Sequence, residues 1–186
     1  AYLKPDWIIG DIFLENNEVI RNVKFKADMY THHLLVYNEY LKRVILLERM
    51  HIKGFSYSEN GKMHQFIRIN PGHNLKLGKD DLLVEVIRDG YISFYKLYYR
   101  NIIPLKAPEM PFIDEFVADE DYYIDYQGEW EQVRLRRRTL IKKFPEYKSE
   151  IKQYVRKNKL RLRHEKDFAQ TLAHISRIIQ LVDQSK

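Results

Sequence analysis

The sequence predicts an α+β protein: an antiparallel β-rich roll, sandwich or open barrel followed by a C-terminal pair of helices. Three observations carry that prediction. Short apolar and aromatic runs with period-two alternation fill most of the first 135 residues, divided by turn signals such as Asn60-Gly61. After Arg138 the apolar period changes to three and four residues, the spacing of a helix face. Charge also separates along the chain: residues 134–163 hold thirteen Lys or Arg against Glu146 and Glu150, a surplus of eleven in a protein of net charge +6. The rest of the chain therefore carries a net charge of −5.

The first element is a strand in Trp7 to Leu14 with a broken alternation through Ile8, Ile9, Ile12 and Leu14, and Asn16-Asn17-Glu18 turns the chain into Val19 to Lys26. There Val23 and Phe25 alternate with Asn22, Lys24 and Lys26, the mark of a strand with one buried face. Asp28 to His33 reads as a connection, and Leu34 to Tyr37 and Leu41 to Leu47 as two strands joined near Asn38-Glu39. His51 to Tyr57 and His64 to Ile69 form a hairpin across Asn60-Gly61, because this dipeptide tolerates positive φ at both turn positions. Pro71-Gly72-His73-Asn74 breaks the return strand. Leu82 to Ile87 and Tyr91 to Tyr99 flank the tight turn Arg88-Asp89-Gly90, and the prolines at 104, 108 and 111 make Asn101 to Pro111 an extended connection. Phe112 to Val117 and Tyr122 to Tyr126 read as late strands split by the acidic stretch Ala118 to Asp121, with Gln127-Gly128-Glu129 turning into Trp130 to Leu135.

In the helical region Thr139 is placed to cap Leu140 to Phe144, and Pro145 suits the first turn of a helix over Glu146 to Asn158. Leu160 to Arg163, a short link or strand, leads to the clearest helix, His164 to Leu181, whose stripe of Phe168, Leu172, Ile175, Ile179 and Val182 must bury itself against a neighbour. By element type the chain divides into a β-rich body, 1–138, and a basic helical region, 139–186, packed on it.

Composition excludes several function classes. With no cysteine there is no disulfide, thiolate nucleophile or cysteine-ligated metal. No apolar run reaches the roughly 18 residues of a membrane-spanning helix. Seven histidines do not fall into a ligand pattern: His32 and His33 are adjacent, His51 and His64 make at most half a site across their hairpin, and His164 and His174 differ in helical phase. Asp114-Glu115 and Asp119-Glu120-Asp121 fit a solvated acidic loop, a weak cation site or a glycosidase-like carboxylate pair, without the ligand alternation of a calcium loop. Gly72 to Lys79 lacks the order of a phosphate-binding loop, and Ser93 sits in an aromatic strand rather than at a nucleophile elbow. No catalytic residue, metal ligand or cofactor is expected. Fourteen tyrosines suit half-exposed strand faces or a tyrosine-lined partner surface.

The candidate surface is the basic segment. Arg134, Arg136, Arg137, Arg138, Lys142, Lys143, Lys152, Arg156, Lys157, Lys159, Arg161 and Arg163 either solvate the outside of a helix pair or form a field for an anionic partner. A protein or anionic polymer ranks ahead of nucleic acid, because no helix-turn-helix, zinc-finger or ribonucleoprotein signature accompanies these residues.

Trp7-Ile8-Ile9-Gly10-Asp11-Ile12-Phe13-Leu14, then Asn16-Asn17-Glu18 and Val23-Lys24-Phe25, together with Glu150 to Leu160 and Asp167-Phe168 opening the last helix, resemble a group of uncharacterised exported proteins of Bacteroidetes. The resemblance spans nearly the whole chain in order and carries no catalytic motif. It implies a periplasmic or envelope location, a mature start near Ala1, a β-rich body and a helical end. The expected function is a non-enzymatic, envelope-associated interaction or structural module. An enzyme or small-ligand binder with a pocket in the β body, and nucleic-acid binding through residues 134–163, are the alternatives.

Overall fold

The computed structural model describes residues 2–70, 81–104 and 114–184. Ten strands are present among them: β1 (Ile8–Leu14), β2 (Val19–Ala27), β3 (Leu34–Asn38), β4 (Arg43–Leu47), β5 (Ile52–Glu59), β6 (Lys62–Ile69), β7 (Leu82–Arg88), β8 (Ile92–Pro104), β9 (Asp114–Tyr126) and β10 (Glu129–Val133). They form one open antiparallel sheet in the order β10-β9-β8-β7-β6-β5-β1-β2-β3-β4. Three helices follow, α1 (Arg137–Lys143), α2 (Lys148–Lys157) and α3 (Glu165–Gln184). The α+β class read from the sequence is therefore the observed one.

Turn chemistry explains most strand boundaries. Asn60 and Gly61 have φ of 49° and 74°, and Gln127 and Gly128 have 56° and 81°, so both hairpins turn through two left-handed residues, the geometry that matches the twist of paired strands. The broken alternation of β1 has a cause in its pairing: the register with β2 shifts between Gly10 and Ile12, Asn22 adopts φ 51°, and its N–H donates to Asp11 Oδ1 at 2.8 Å. An extra residue at such a bulge changes which side chains face inward. Gly54 answers a different need. A Cβ there would lie 2.2 Å from the Phe66 carbonyl oxygen, so only hydrogen permits the β5–β6 approach.

By contact the chain groups into two units, residues 1–86 with 96–120, and residues 87–95 with 121–186. The first is built on Ile12, Phe25, Leu34, Ile52, Phe55, Phe66 and Leu83, all essentially inaccessible. Phe55 and Phe66 face each other across β5 and β6 and stack at 4.4 Å, while Phe25 meets Phe55 edge-on at 5.2 Å. Ring pairs of these geometries add to the area they bury. The second unit joins Ile92, Phe94, Ile124 and Val133 of its strands to Leu140, Ile151, Phe168, Leu172, Ile175 and Ile179 of its helices. Phe94 lies 5.3 Å from Phe168 and 5.5 Å from Tyr122, so the apolar stripe of α3 buries against strand aromatics as well as α2.

Several boundaries differ from the sequence reading. Ala118 to Asp121 does not split two strands: β9 runs unbroken through it, with Asp119 and Glu120 exposed and Lys96 paired to Glu120 at 2.6 Å. Acidic side chains that reach water leave the backbone free to continue a ladder. Asn101 to Pro104 belongs to β8 instead of the following connection. Thr139 lies inside α1, whose N-cap is Arg136, without a side-chain capping bond. The turn Pro145–Tyr147 is a single 3-10 turn that precedes α2. The Pro71 break and the Gly72 to Lys79 segment fall outside the described residues, as does the stretch 105–113.

Candidate functional site

The twelve basic residues occupy distinct local settings in the second unit. Arg134 follows β10, Arg136 caps α1, Arg137 and Arg138 lie in its first turn, and Lys142 and Lys143 in its last. Lys152, Arg156 and Lys157 are on α2, and Lys159, at φ 52°, ends it in a left-handed turn. Arg161 and Arg163 lie in the link to α3, where the Arg161 N–H donates to Asp167 Oδ2 at 2.7 Å and fixes the entry of that helix. Eleven of the twelve are exposed; Lys143 is half-buried and paired with Glu131 at 2.7 Å. None of the other eleven has an ion pair among the described residues.

Helix electrostatics divides the set. Cations in a last helical turn are favoured by the partial negative charge there, so Lys142, Lys143, Arg156 and Lys157 have a structural reason for their positions. The same field disfavours cations at a helix start. Arg136, Arg137 and Arg138 nevertheless gather at the beginning of α1, whose first turn holds no acid. Arg136 and Arg137 then line a concavity of about 420 Å³ together with Arg163, Val155, Leu160 and Leu162. Arginine side chains offer planar, multiply donating contacts to carboxylate, phosphate or sulfate groups, and the three apolar residues of the lining offer a surface for the carbon skeleton that bears them.

A second constellation was not legible in the sequence. In the first unit, His64 Nδ1 on β6 lies 2.6 Å from Glu85 Oε1 on β7, and the Tyr98 hydroxyl on β8 donates to Glu85 Oε2 at 2.6 Å. Glu85 is 2% exposed, and both its oxygens are occupied by these neighbours. The Tyr57 ring stacks on His64 at 4.8 Å, and burial, with the charges of Glu85 and Glu59, pushes its phenol above the usual tyrosine range. This trio orients an imidazole and satisfies a buried carboxylate in one arrangement. No spacing rule relates positions 64, 85 and 98; only the strand order brings them together. His64 thus meets Glu85 rather than His51 across the hairpin.

The remaining candidates resolve individually. His32, buried and at φ 58°, accepts the Leu83 N–H at Nδ1 (3.2 Å), and burial reinforced by Arg49 lowers its pKa to about 4. Ser93 is buried beside the β7–β8 turn, its hydroxyl 3.1 Å from Asp89 Oδ1. Among the described residues, no three His, Asp or Glu side chains converge as a metal site. No helix among them is long and apolar enough to cross a membrane. No family model, curated protein or solved structure matches this chain.

Proposed function

We propose that the protein is a non-enzymatic interaction module of the cell envelope that holds an anionic partner, protein or polymer, on the concavity formed by Arg136, Arg137 and Arg163. The observation that carries this reading is their convergence without an acidic partner at the helix end where cations are least favoured. A merely solvated helix face would place its cations as Lys142 and Arg156 are placed. The envelope location rests on the resemblance to exported proteins of Bacteroidetes and on nothing in the geometry.

Binding of polyglutamate, a polyphosphate chain and single-stranded DNA, each measured over a range of salt, tests the reading. The expected result is salt-dependent binding of the first two that weakens at least tenfold in R136E/R137E/R163E and at most about twofold in the control K142E/K152E. Equal loss in both variants would reduce the concavity to part of a diffuse basic field. A strong preference for DNA at matched charge would replace the reading with nucleic-acid binding. Absence of binding at low salt would end it, and recovery of the native protein only from cytoplasm would end its cellular half.

A further inference from the structure

Outside the basic surface, the imidazole of His64 is the group best prepared for chemistry. Glu85 is 2% exposed, and its carboxylate serves two partners: the Tyr98 hydroxyl donates to Oε2 at 2.6 Å, and His64 Nδ1 lies 2.6 Å from Oε1. A carboxylate has only acceptors to offer, so the hydrogen of the neutral ring sits on Nδ1 and the lone pair on Nε2. The Tyr57 ring, itself 6% exposed, stacks on the imidazole at 4.8 Å with an interplanar angle of 8° and fixes its plane. Nε2 has no hydrogen-bond partner among the described residues. Nor is it one of their enclosed, unpaired side-chain atoms, so solvent reaches it.

Three fates are open to an oriented imidazole nitrogen that faces solvent. Metal binding needs further ligands, and no three His, Asp or Glu side chains converge among the described residues. Acyl transfer needs donors aimed at an oxyanion, but β6 pairs on both sides and spends its N–H groups on the ladders to β5 and β7. Phosphoryl transfer asks for a positioned nucleophile and a cation beside it for the phosphoryl oxygens. Lys62 meets the second need. It lies two residues from His64 on β6, hence on the same face, and it is exposed without an ion pair among the described residues. Glu59, its cross-strand partner in register, is held by Lys4 instead.

We propose that His64 is a phosphoryl-accepting histidine whose Nε2 takes a phosphoryl group from an acyl phosphate, with Glu85 as its positioning residue. In the step the Nε2 lone pair attacks phosphorus, a P–N bond forms, and the P–O bond to the acyl oxygen breaks. Its electron pair leaves on a carboxylate. A carboxylate departs without a proton, which suits a ring whose one hydrogen is committed to Glu85. The positive charge that develops on the ring faces Glu85 through the Nδ1–H bond, where the carboxylate stabilises it.

Incubation of the whole chain with acetyl phosphate at neutral pH tests the assignment. The expected product carries one acid-labile, alkali-stable phosphoryl group, mapped by peptide mass spectrometry to His64 ahead of every other histidine and by phosphorus NMR to Nε2. His64→Asn should accept none. Glu85→Gln should slow the reaction about tenfold or more, and nitrogen NMR should show it losing the preference for the Nδ1–H tautomer. Lys62→Gln should slow it about threefold, an effect that high salt erases. Circular dichroism establishes that each variant is folded; if Glu85→Gln is not, the site and point of attachment in the wild type decide. The proposal is overturned by absence of an adduct, by attachment at Nδ1, or by equal labelling of exposed His51 and His164. A folded Glu85→Gln that reacts at the wild-type rate overturns it as well.

Discussion

The two units of this chain bury their apolar residues with different material. In the first, strands supply nearly the whole core, and aromatic rings from β2, β5 and β6 contact one another. In the second, helices contribute half or more of the buried side chains. The difference shows at the surface. Of the exposed large hydrophobic side chains among the described residues, thirteen belong to the first unit, including Ile9, Leu41, Val44 and Leu46, and two, Leu181 and Val182, to the second. A helix lays a broad stripe over a sheet face, whereas strands that pack on strands leave alternate side chains in water unless a further layer covers them. The sheet edges follow suit. β10 ends the sheet with exposed Glu129 and Glu131, charges that discourage pairing, and exposed Gln132, while β4 ends it with exposed Val44, Ile45 and Leu46.

Truncating one ring in each core probes the comparison most strongly. Phe55→Ala and Phe168→Ala should each cost about 3–5 kcal/mol, since both side chains are fully buried. If the units are stabilised separately, hydrogen exchange will show Phe55→Ala loosening the amides of β5 and β6 more than those of α3, and Phe168→Ala the reverse. Uniform loss of protection in both variants would instead make the chain a single cooperative unit, and the contrast would be one of composition only.

Acid acts on the first unit through His32. Its pKa falls from 6.5 to about 4 on folding, so its contribution to stability is complete above pH 6.5 and is lost as pH drops through 4. The shift corresponds to about 3 kcal/mol. Protonation removes the acceptor that binds the Leu83 N–H, which ties the Asp28–His33 turn to β7. His32→Asn tolerates the left-handed backbone and does not titrate. Its stability should therefore vary less between pH 6.5 and 4 than that of the wild type in chemical denaturation; an unchanged pH slope would place the acid sensitivity elsewhere.

Period and turn chemistry account for what the sequence revealed. Asn60-Gly61 and Gln127-Gly128 marked their hairpins because few dipeptides accept two positive φ values, and the stripe from Phe168 to Ile179 marked α3 because its burial is periodic. β9 was misread because composition, read without pairing, treats Asp119-Glu120-Asp121 as a loop, whereas Lys96 neutralises Glu120 from β8. The candidate site divides the same way. The density of cations in residues 134–163 is a property of the sequence, but the meeting of Arg136 and Arg137 with Arg163 requires the turn at Lys159 and the path of the link to α3. The Glu85 trio needed strand order, which no local signal carries.

Lys143 offers the gentlest test of how the second unit uses its charge. It is the one member of the basic set held by an acid among the described residues, and Glu131 is about half exposed. Such a pair contributes about 1 kcal/mol or less and weakens with salt. Glu131→Gln should thus lower the melting temperature only slightly, an effect that fades at high salt. It also releases a lysine and removes a negative charge near the basic surface, so polyphosphate affinity should rise by about twofold or less at low salt. A larger rise would show that β10 acts as an electrostatic counterweight to the arginines; no rise would confine the binding surface to the concavity and leave Lys143 a structural residue.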